Sequence, residues 1–389
     1  MLAWADGVDA SLAALNAVTT TYAPLGIYEN FDPANFRRFR AALARQRAGG
    51  AVARINVYGD SNSAGYQAGL GADYTRGFAA CAATILEGTY GPSRTGVIAP
   101  AIESAPAVDP RFTLGSGWSG FLSTSQGIGG SGSLQGTGLT AGTASIVGTN
   151  VNAFDVYFAR YAGGPATVDI SIDAGAAVHT ACNGANAVVK ATVTTGTVGT
   201  HTLNIKNATT GTSYVLGVEG YDNTQTGLRW TAVGILGGTS DNWNLADSGD
   251  PWSPSSLNFG PSLPAPDLTV INLSINAHTA GTTQAAYLAS MSTFITKAAA
   301  VGDVILIASA PGGSGDVSTW GDFLTSQRTL AATFGCGLIN MPTRWGVYAA
   351  ASASPYLLWH DADHPTIAGY WDLGQALADG VRLAAGRSA

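Results

Sequence analysis

The stretch NVYGDSNSAG, residues 56–65, changes at one point from strand-forming to turn-forming residues. The β-branched and aromatic run that leads into it, ARINVY at 53–58, predicts a buried strand. Residues 59–62, Gly-Asp-Ser-Asn, end that strand because these residue types favour turns. A second interpretation is chemical, since α/β hydrolytic enzymes place a nucleophilic serine just past a strand, at the mouth of the next helix. The tetrapeptide alone leaves both interpretations open.

The composition limits the class of protein. The chain has 389 residues, 46% of them hydrophobic, which is enough for a large core or for two domains. Charged residues make up only 11%, well below the roughly 25% of typical soluble domains, and 51 glycines favour turn-rich β structure. The formal net charge of −7 argues against a nucleic-acid groove or an anionic membrane surface as the main partner.

Cysteine usage and the N-terminal residues carry no targeting or metal signal. Cys81, Cys182 and Cys336 are odd in number and far apart, so they predict buried thiols and no disulfide framework or zinc site. Residues 1–10 contain two aspartates and no Lys or Arg, unlike a signal peptide. No apolar run approaches the about 18 residues that span a bilayer. We therefore expect a soluble protein that is cytoplasmic or reaches the cell surface by another route.

The N-terminal segment, residues 1–32, is interpreted as an appendage. Val8, Leu12 and Leu15 fall at helical spacing in it. This helix could serve as a stem through which the chain forms a homo-oligomer, or it could lie on the body of the protein. The pattern covers fewer than three heptads, so it does not decide between these two interpretations.

The rest of the chain divides into three parts. Residues 33–111 and 223–389 alternate strand and helix patterns, which predicts a mostly parallel sheet covered on both faces. Residues 112–222 instead contain short alternating runs such as FDVYFARY and THTLNIKN, separated by Gly, Thr and Asn. These runs predict an inserted all-β sandwich. The predicted chain therefore leaves an α/β domain, forms a β domain and returns.

A serine hydroxyl needs a base before it can act as a nucleophile, and the base is usually a histidine that a third group orients. Of five histidines, His179 and His201 lie in the predicted β insert. His364 lies in HDADHPTIAGY, just before the last predicted helix, and Asp361 precedes it by three residues. One turn could therefore supply the base and the carboxylate for Ser61, although a turn rich in Asp, His and Pro is also an ordinary loop.

Together, the Gly-Asp-Ser and Asp-x-x-His segments resemble the SGNH (GDSL-type) hydrolase family, whose members are flavodoxin-like, three-layer α/β esterases with four sequence blocks. The segment VGILGGTSDNW resembles the second block, with Gly237 at the glycine position. The segment VINLSINAH resembles the third block, with Asn276 at the asparagine position. Ser274 and Ala277 depart from that block, which puts the substrate preference and the level of activity in doubt.

The resemblance implies a role for each matching residue. Ser61 would be the nucleophile, His364 the base and Asp361 the orienting acid. The oxyanion hole would consist of the N–H groups of Ser61, at the start of a helix, and Gly237, with the Asn276 amide. No metal and no cofactor is implied. Asp60 is interpreted as a structural residue that hydrogen-bonds within its own loop.

The insert resembles the jelly-roll, carbohydrate-binding-like modules of some family members from phage tails and bacterial surface proteins. The predicted function is therefore a carbohydrate acetylesterase that removes small acyl groups from a polysaccharide, with a phage tail as one setting. The alternative is a glycan-binding adhesin whose hydrolase fold is inactive or weakly active. A lipase ranks lower because no long apolar lid segment is present. Four tryptophans near the catalytic blocks are candidate sugar platforms, with core packing as the other interpretation: Trp230, Trp243, Trp252 and Trp359.

Overall fold

The computed structural model describes most of the chain as two β-sheets with helices around one of them. The described residues are 26–66, 74–99, 108–121, 133–139, 142–244, 263–315 and 317–387. The predicted N-terminal helix lies outside them. The strands are β1 (Tyr28–Glu29), β2 (Ala53–Gly59), β3 (Ser93–Thr95), β4 (Phe112–Leu114), β5 (Trp118–Phe121), β6 (Ser133–Thr137), β7 (Ala144–Arg160), β8 (Val168–Ile172), β9 (Val178–Thr180), β10 (Ala187–Asn207), β11 (Thr212–Tyr221), β12 (Leu228–Gly234), β13 (Leu268–Asn272), β14 (Asp303–Ala308) and β15 (Gly337–Asn340).

The helices occur outside the segment that forms β4 to β11. The α-helices are α1 (Arg37–Arg47), α2 (Phe78–Tyr90), α3 (Ser240–Trp243), α4 (Ile275–Thr279), α5 (Gln284–Val301), α6 (Trp320–Phe334), α7 (Met341–Trp345), α8 (Tyr348–Ser352) and α9 (Ile367–Ala384), with 3₁₀ turns at Pro33–Phe36 and Val317–Thr319. The first helical segment begins at Pro33 as that 3₁₀ turn and continues as α1. Proline suits such a start because its missing N–H has no partner there in any case.

The first sheet has the strand order β1-β15-β14-β13-β2-β12-β3. All its neighbouring pairs are parallel except β1 with β15. If the short edge strands β1 and β3 are set aside, the order in chain numbering is 2-1-3-4-5, as in flavodoxin-like sheets. The order reverses around β2, so the carboxyl ends of β2 and its two neighbours form the edge where such sheets bind ligands.

Each face of this sheet has its own apolar core. On one face, Ile55 and Val57 of β2 pack in a buried cluster with residues of α1, α2 and α9. On the other face, Tyr58 of β2 packs in a cluster with residues of α5 and α6. Alternate residues of one strand point to opposite faces, so a strand covered on both sides is apolar almost throughout. This explains why β13, LTVIN, is buried at every position.

The second sheet contains every strand from β4 to β11, in the order β5-β6-β11-β7-β10-β8-β9 with β4 also paired to β7. All its pairs are antiparallel. The strands in the part of the chain expected to be an all-β insertion therefore form one hydrogen-bonded sheet with a separate buried cluster. Its division into the two layers of a jelly-roll sandwich stays a prediction.

The second sheet also packs against the first. Tyr157 and Leu216 belong to the same buried cluster as Tyr58 of β2 and Val233 of β12. The second sheet thus helps to cover the face on which α5 and α6 also lie.

A buried charge cluster lies at the same junction. Glu219 of β11 has a fully buried side chain and accepts hydrogen bonds from Arg54 of β2, at 2.9 and 3.3 Å, and from Arg229 of β12, at 2.6 Å. The Arg229 guanidinium also lies 4.2 Å from the Tyr221 ring centre. A buried carboxylate is tolerated only when it is paired in this way. Glu219 therefore fixes the insert to the two adjacent strands that lead to Ser61 and Gly237.

Candidate active site

Three adjacent strands of the first sheet end at the same level. Gly59 of β2 pairs in register with Gly234 of β12 and with Asn272 of β13. The predicted residues follow these three ends within four positions: Ser61, Gly237 and Asn276. Parallel strand order and register therefore place three residues that are far apart in sequence on one edge of the sheet.

The glycines at two of these strand ends leave room for the turn that carries Ser61. A side chain at Gly59 would overlap the Ser63 hydroxyl and the Asn272 carbonyl oxygen. A side chain at Gly234 would overlap the Asp60 carbonyl oxygen. Only glycine allows the backbone to approach this closely. The glycine of the Gly-Asp-Ser segment is thus required by packing against β13.

In residues 61–66, the described part of the chain that follows β2, the structure shows a series of turns in place of the expected helix start. The Tyr66 N–H donates to the Ser61 carbonyl at 3.0 Å, and the next helix among the described residues is α2. The physical reason is local: short polar side chains compete with helical hydrogen bonds. Here the Asn62 N–H donates to Asp60 Oδ1 at 2.9 Å. The Ser61 N–H is therefore part of a turn.

The structure brings Ser61, His364 and Asp361 together. His364 Nε2 lies 3.0 Å from Ser61 Oγ. His364 Nδ1 lies 2.9 and 3.0 Å from the two Asp361 carboxylate oxygens. Ser61 is only 6% exposed, whereas the His364 and Asp361 side chains are 19% and 35% exposed. At these distances a hydroxyl can pass its proton to the imidazole, while the carboxylate orients that imidazole through a hydrogen bond.

The loop that carries His364 is built around Asp361. Asp361 Oδ1 also accepts the N–H groups of Asp363, at 2.8 Å, and of His364, at 2.7 Å. Burial alone would raise the pKa of Asp361, but these hydrogen bonds and the imidazole hold that pKa below its ordinary value. Asp363 faces elsewhere, since its carboxylate accepts the Ser314 hydroxyl at 2.9 Å. The carboxylate beside the imidazole is therefore that of Asp361.

The candidate oxyanion donors lie on the turns after β12 and β13. Gly237 is exposed and has φ +70, a left-handed conformation that glycine adopts without strain. The Asn276 side chain donates its Nδ2–H to the Gly238 carbonyl at 3.2 Å. This hydrogen bond ties the Asn276 amide to the glycine turn. The amide carries two donor hydrogens, so one remains for another acceptor.

The two departures in the third block have structural explanations. Ser274 has φ −140, which any residue adopts, and its Oγ accepts the Ser309 N–H at 3.2 Å. Ala277 is 2% exposed and packs in the core on the α5 side of the sheet. The helix α4, which carries Asn276, forms with both residues in place.

Asp60, next to Ser61, is a fully buried carboxyl group. Its Oδ1 accepts the Asn62 N–H, as expected for a structural role in the loop, and its Oδ2 has no partner among the described residues. Burial raises the pKa of Asp60 to about 7, and the charge of Asp363 adds to this. The carboxyl group therefore changes its protonation near neutral pH.

The sequence did not identify a network that joins the serine turn to the histidine loop. The Asn62 side chain donates to the Asp363 carbonyl at 3.2 Å, and the buried Tyr370 hydroxyl donates to the Tyr66 carbonyl at 2.7 Å. The Tyr66 and His364 rings are 4.7 Å apart between centres. Asn62 and Tyr66 lie within five residues of Ser61, which was the only available signal in the sequence.

Three of the four tryptophans proposed as sugar platforms are core residues. Trp230, Trp243 and Trp359 are 4%, 1% and 6% exposed and pack in the two clusters that line the parallel sheet. The platform prediction is wrong for them, because large aromatic side chains gain more from burial than from exposure. Trp252 lies outside the described residues.

Other candidate chemistry is limited in the part of the chain that the structure describes. There, no group of three or more His, Cys, Asp and Glu side chains could hold a metal ion, and no helix is long and apolar enough to cross a bilayer. Cys81, Cys182 and Cys336 are buried thiols. The insert histidines, His179 and His201, each face an aspartate of the insert.

Comparison with known proteins shows a relationship in structure only. No family model matches the sequence, and no curated protein matches it significantly. A solved structure described as "Peptidoglycan O-acetylesterase in action, 5 min" superposes with a TM-score of 0.68 and 14% identity, over 91% of this chain and 97% of that one. This coverage extends over both sheets. The chain therefore has the mixed α/β fold of that acetylesterase.

Two carbohydrate esterases of family two superpose less well. The enzyme from Cellvibrio japonicus has a TM-score of 0.29 and 13% identity, over 75% of this chain and 98% of that one. The enzyme from Corynascus thermopiles (Myceliophthora fergusii), solved with a carbohydrate binding domain, has a TM-score of 0.32 and 14% identity, over 63% and 94%.

Proposed function

We propose that the chain is a serine esterase of the SGNH (GDSL) type that removes acetyl groups from a polysaccharide. The observation that carries the proposal is the Ser61–His364–Asp361 arrangement, with 3.0 Å from nucleophile to base and 2.9 Å from base to carboxylate. It lies at the carboxyl end of β2, where the strand order reverses. The oxyanion donors proposed for it are the Ser61 and Gly237 N–H groups and the Asn276 amide.

In the acylation step, Ser61 Oγ attacks the acetyl carbonyl carbon while His364 Nε2 takes the hydroxyl proton. Asp361 stabilises the imidazolium that forms. The tetrahedral oxyanion is met by the donors after β2, β12 and β13. The intermediate collapses when His364 gives its proton to the sugar oxygen and the bond from the carbonyl carbon to that oxygen breaks. The products are a free sugar hydroxyl and acetyl-Ser61.

Deacylation repeats the same steps with water. His364 Nε2 takes a proton from a water molecule, whose oxygen attacks the acetyl carbon of acetyl-Ser61. The second tetrahedral intermediate releases Ser61 Oγ, which recovers its proton from His364, and acetate leaves. No redox step and no cofactor is needed, because both half-reactions move only protons and one acyl group.

The residues around the nucleophile favour a small acyl group. Asn62, Ser63 and Ala64 follow Ser61, and Thr239 and Ser240 follow the glycine turn, so the catalytic segments offer small and polar side chains. A lipase would gain roughly 0.8 kcal/mol for each methylene it buries, and its rate would rise with chain length. The similarity of fold to a peptidoglycan O-acetylesterase agrees with an acylated glycan as substrate.

The test is acetate release by the wild-type chain from O-acetylated peptidoglycan, acetylated xylan and acetylated mannan. In parallel, kcat/KM is measured on p-nitrophenyl acetate, butyrate and octanoate. We expect acetate release from at least one glycan and a decline from acetate to octanoate. A steady rise towards octanoate with no release from any glycan would show a lipase-like enzyme.

The alternative of a glycan-binding adhesin predicts a different outcome of the same test. Such a chain would bind a glycan but hydrolyse none of the esters, including p-nitrophenyl acetate. The hydrogen-bond distance between Ser61 and His364 favours the enzyme, because an inactive fold has no need to keep it. A role in a phage tail stays a prediction from the sequence, as does assembly through residues 1–32.

A further inference from the structure

Tyr66 lies against the histidine of the proposed active site. The centres of the Tyr66 and His364 rings are 4.7 Å apart, and the ring planes are tilted by 52°. His364 Nε2 in turn lies 3.0 Å from Ser61 Oγ. The Tyr66 ring therefore forms part of the wall on the imidazole side of the nucleophile.

The backbone of Tyr66 is held at two points. Its N–H donates to the Ser61 carbonyl at 3.0 Å, and its carbonyl accepts the Tyr370 hydroxyl at 2.7 Å. Tyr370 is itself fully buried on α9. These hydrogen bonds fix the ring relative to Ser61, which is what a surface that positions a substrate requires.

The exposure of Tyr66 distinguishes it from the tryptophans near the site. Trp230, Trp243 and Trp359 are buried, whereas Tyr66 keeps part of its side chain exposed. The exposed part of an aromatic ring offers a flat apolar surface to a ligand. The C–H face of a pyranose ring matches that surface.

We propose that the exposed part of the Tyr66 ring forms the subsite for the sugar ring that carries the acetyl group. This inference rests on the proposed function. In that reaction His364 Nε2 gives its proton to the leaving sugar oxygen, so that oxygen must come within about 3 Å of Nε2. The sugar ring attached to it then lies on the His364 side of Ser61, which is the side that Tyr66 occupies.

The experiment compares an acetyl ester whose alcohol is a sugar ring with one whose alcohol has no ring. Glucose pentaacetate presents a pyranose with every acyl position filled, and ethyl acetate presents no ring. Aromatic esters are avoided because a nitrophenyl ring could stack on Tyr66. The variants are Tyr66→Phe, which keeps the ring, Tyr66→Leu, which keeps apolar volume beside His364, and Tyr66→Ala. Acetate release gives kcat and KM for each, and circular dichroism checks the fold.

The expected result is a selective loss. Tyr66→Leu and Tyr66→Ala raise KM for glucose pentaacetate about tenfold, whereas kcat/KM for ethyl acetate changes less than about threefold. Tyr66→Phe stays within about threefold of wild type on both esters.

Equal losses on both esters would overturn the subsite and leave Tyr66 as packing for His364. The absence of a loss on either ester would also overturn the subsite. If wild type cleaves ethyl acetate but not glucose pentaacetate, the glycan substrate fails and the subsite with it. If it cleaves neither, the esterase itself fails.

Discussion

Two histidine–aspartate pairs of nearly equal length lie in different regions of the molecule. In the α/β part, His364 Nδ1 lies 2.9 Å from Asp361. In the insert, His201 Nδ1 lies 2.8 Å from Asp173. By this distance alone, either pair could be the base and orienting acid of a hydrolase.

The pairs differ in what the second ring nitrogen contacts. His364 Nε2 faces the hydroxyl of Ser61, which can donate its proton, so the imidazole can be neutral and accept it. His201 Nε2 lies 3.0 Å from the Thr197 carbonyl, which only accepts, so both ring nitrogens of His201 donate. The hydrogen bond to Asp173, together with that carbonyl, raises the pKa of His201 above its ordinary value. The group at Nε2 therefore distinguishes the two histidines. His364 can act as a base towards Ser61, whereas both ring nitrogens of His201 serve hydrogen bonds within its own part of the fold.

Removal of the Ser61 hydroxyl should give the largest effect on catalysis. We expect Ser61→Ala to lower kcat on p-nitrophenyl acetate by at least about a thousandfold, because no other hydroxyl lies at His364 Nε2 among the described residues. The fold should persist, as judged by circular dichroism. The matched control is Ser63→Ala in the same turn, whose buried hydroxyl has no partner there. A Ser61→Ala variant that keeps more than a tenth of wild-type turnover, or a Ser63→Ala variant that loses as much, would contradict the assignment.

The second-largest effect on kcat should distinguish Asp361 from Asp363 and Asp173. Asp361→Asn should lower kcat by about 10²–10⁴, because the amide cannot stabilise an imidazolium as a carboxylate does. Asp363→Asn, in the same loop, should stay within about tenfold, since its carboxylate faces Ser314. Asp173→Asn in the insert should leave kcat unchanged. Steady-state kinetics on one ester ranks all three, and equal losses for Asp361→Asn and Asp363→Asn would show that the orienting acid is misassigned.

A third carboxyl group, that of Asp60, is not paired with a histidine. We expect its protonation to change the stability of the fold. Its pKa is about 7 in the folded protein and near 3.8 in the unfolded chain. The folded state therefore binds the carboxyl proton more tightly than the unfolded chain does. This proton binding adds to the free energy of unfolding in full below about pH 4, and the added stability is lost as the pH rises to 7. The difference corresponds to roughly 4 kcal/mol at most. Urea unfolding at pH 5 and pH 8 should show a smaller pH difference for Asp60→Asn than for wild type; an unchanged difference would contradict this.

The sequence predicted the candidate site better than its surroundings, and the reason is physical. Ser61, Asp361 and His364 were found because a strand that ends in turn residues and a His three positions after an Asp are local patterns. Gly237 and Asn276 were found through the family resemblance, and strand register then places them on the same edge.

What the sequence did not predict depends on contacts between distant segments. The network through Asn62 and Tyr370 joins residues about 300 positions apart, and no local pattern encodes it. Trp230 is buried in the cluster that contains residues of α2 and α9, and Trp359 packs against the rings of Trp345 and Tyr348. The turn after Ser61 was mistaken for a helix start because the same small polar residues begin helices and form turns.

The smallest effect on kcat is expected for the His201–Asp173 pair. We expect His201→Gln to leave kcat within about twofold of wild type, whereas His364→Gln should abolish activity, since His364, unlike His201, contacts the proposed nucleophile Ser61. The insert pair acts on stability instead, and weakly, because the Asp173 side chain is 49% exposed. The pKa of His201 is raised, so its contribution is present at low pH and is lost as the pH rises through that pKa. The pKa of Asp173 is lowered, mainly by the Thr202 N–H, so its contribution is lost as the pH falls through that pKa. His201→Gln should therefore lower the melting temperature slightly at pH 5.5 and less at pH 8. A loss of activity in His201→Gln would show that the two pairs are coupled and that the insert contributes to catalysis.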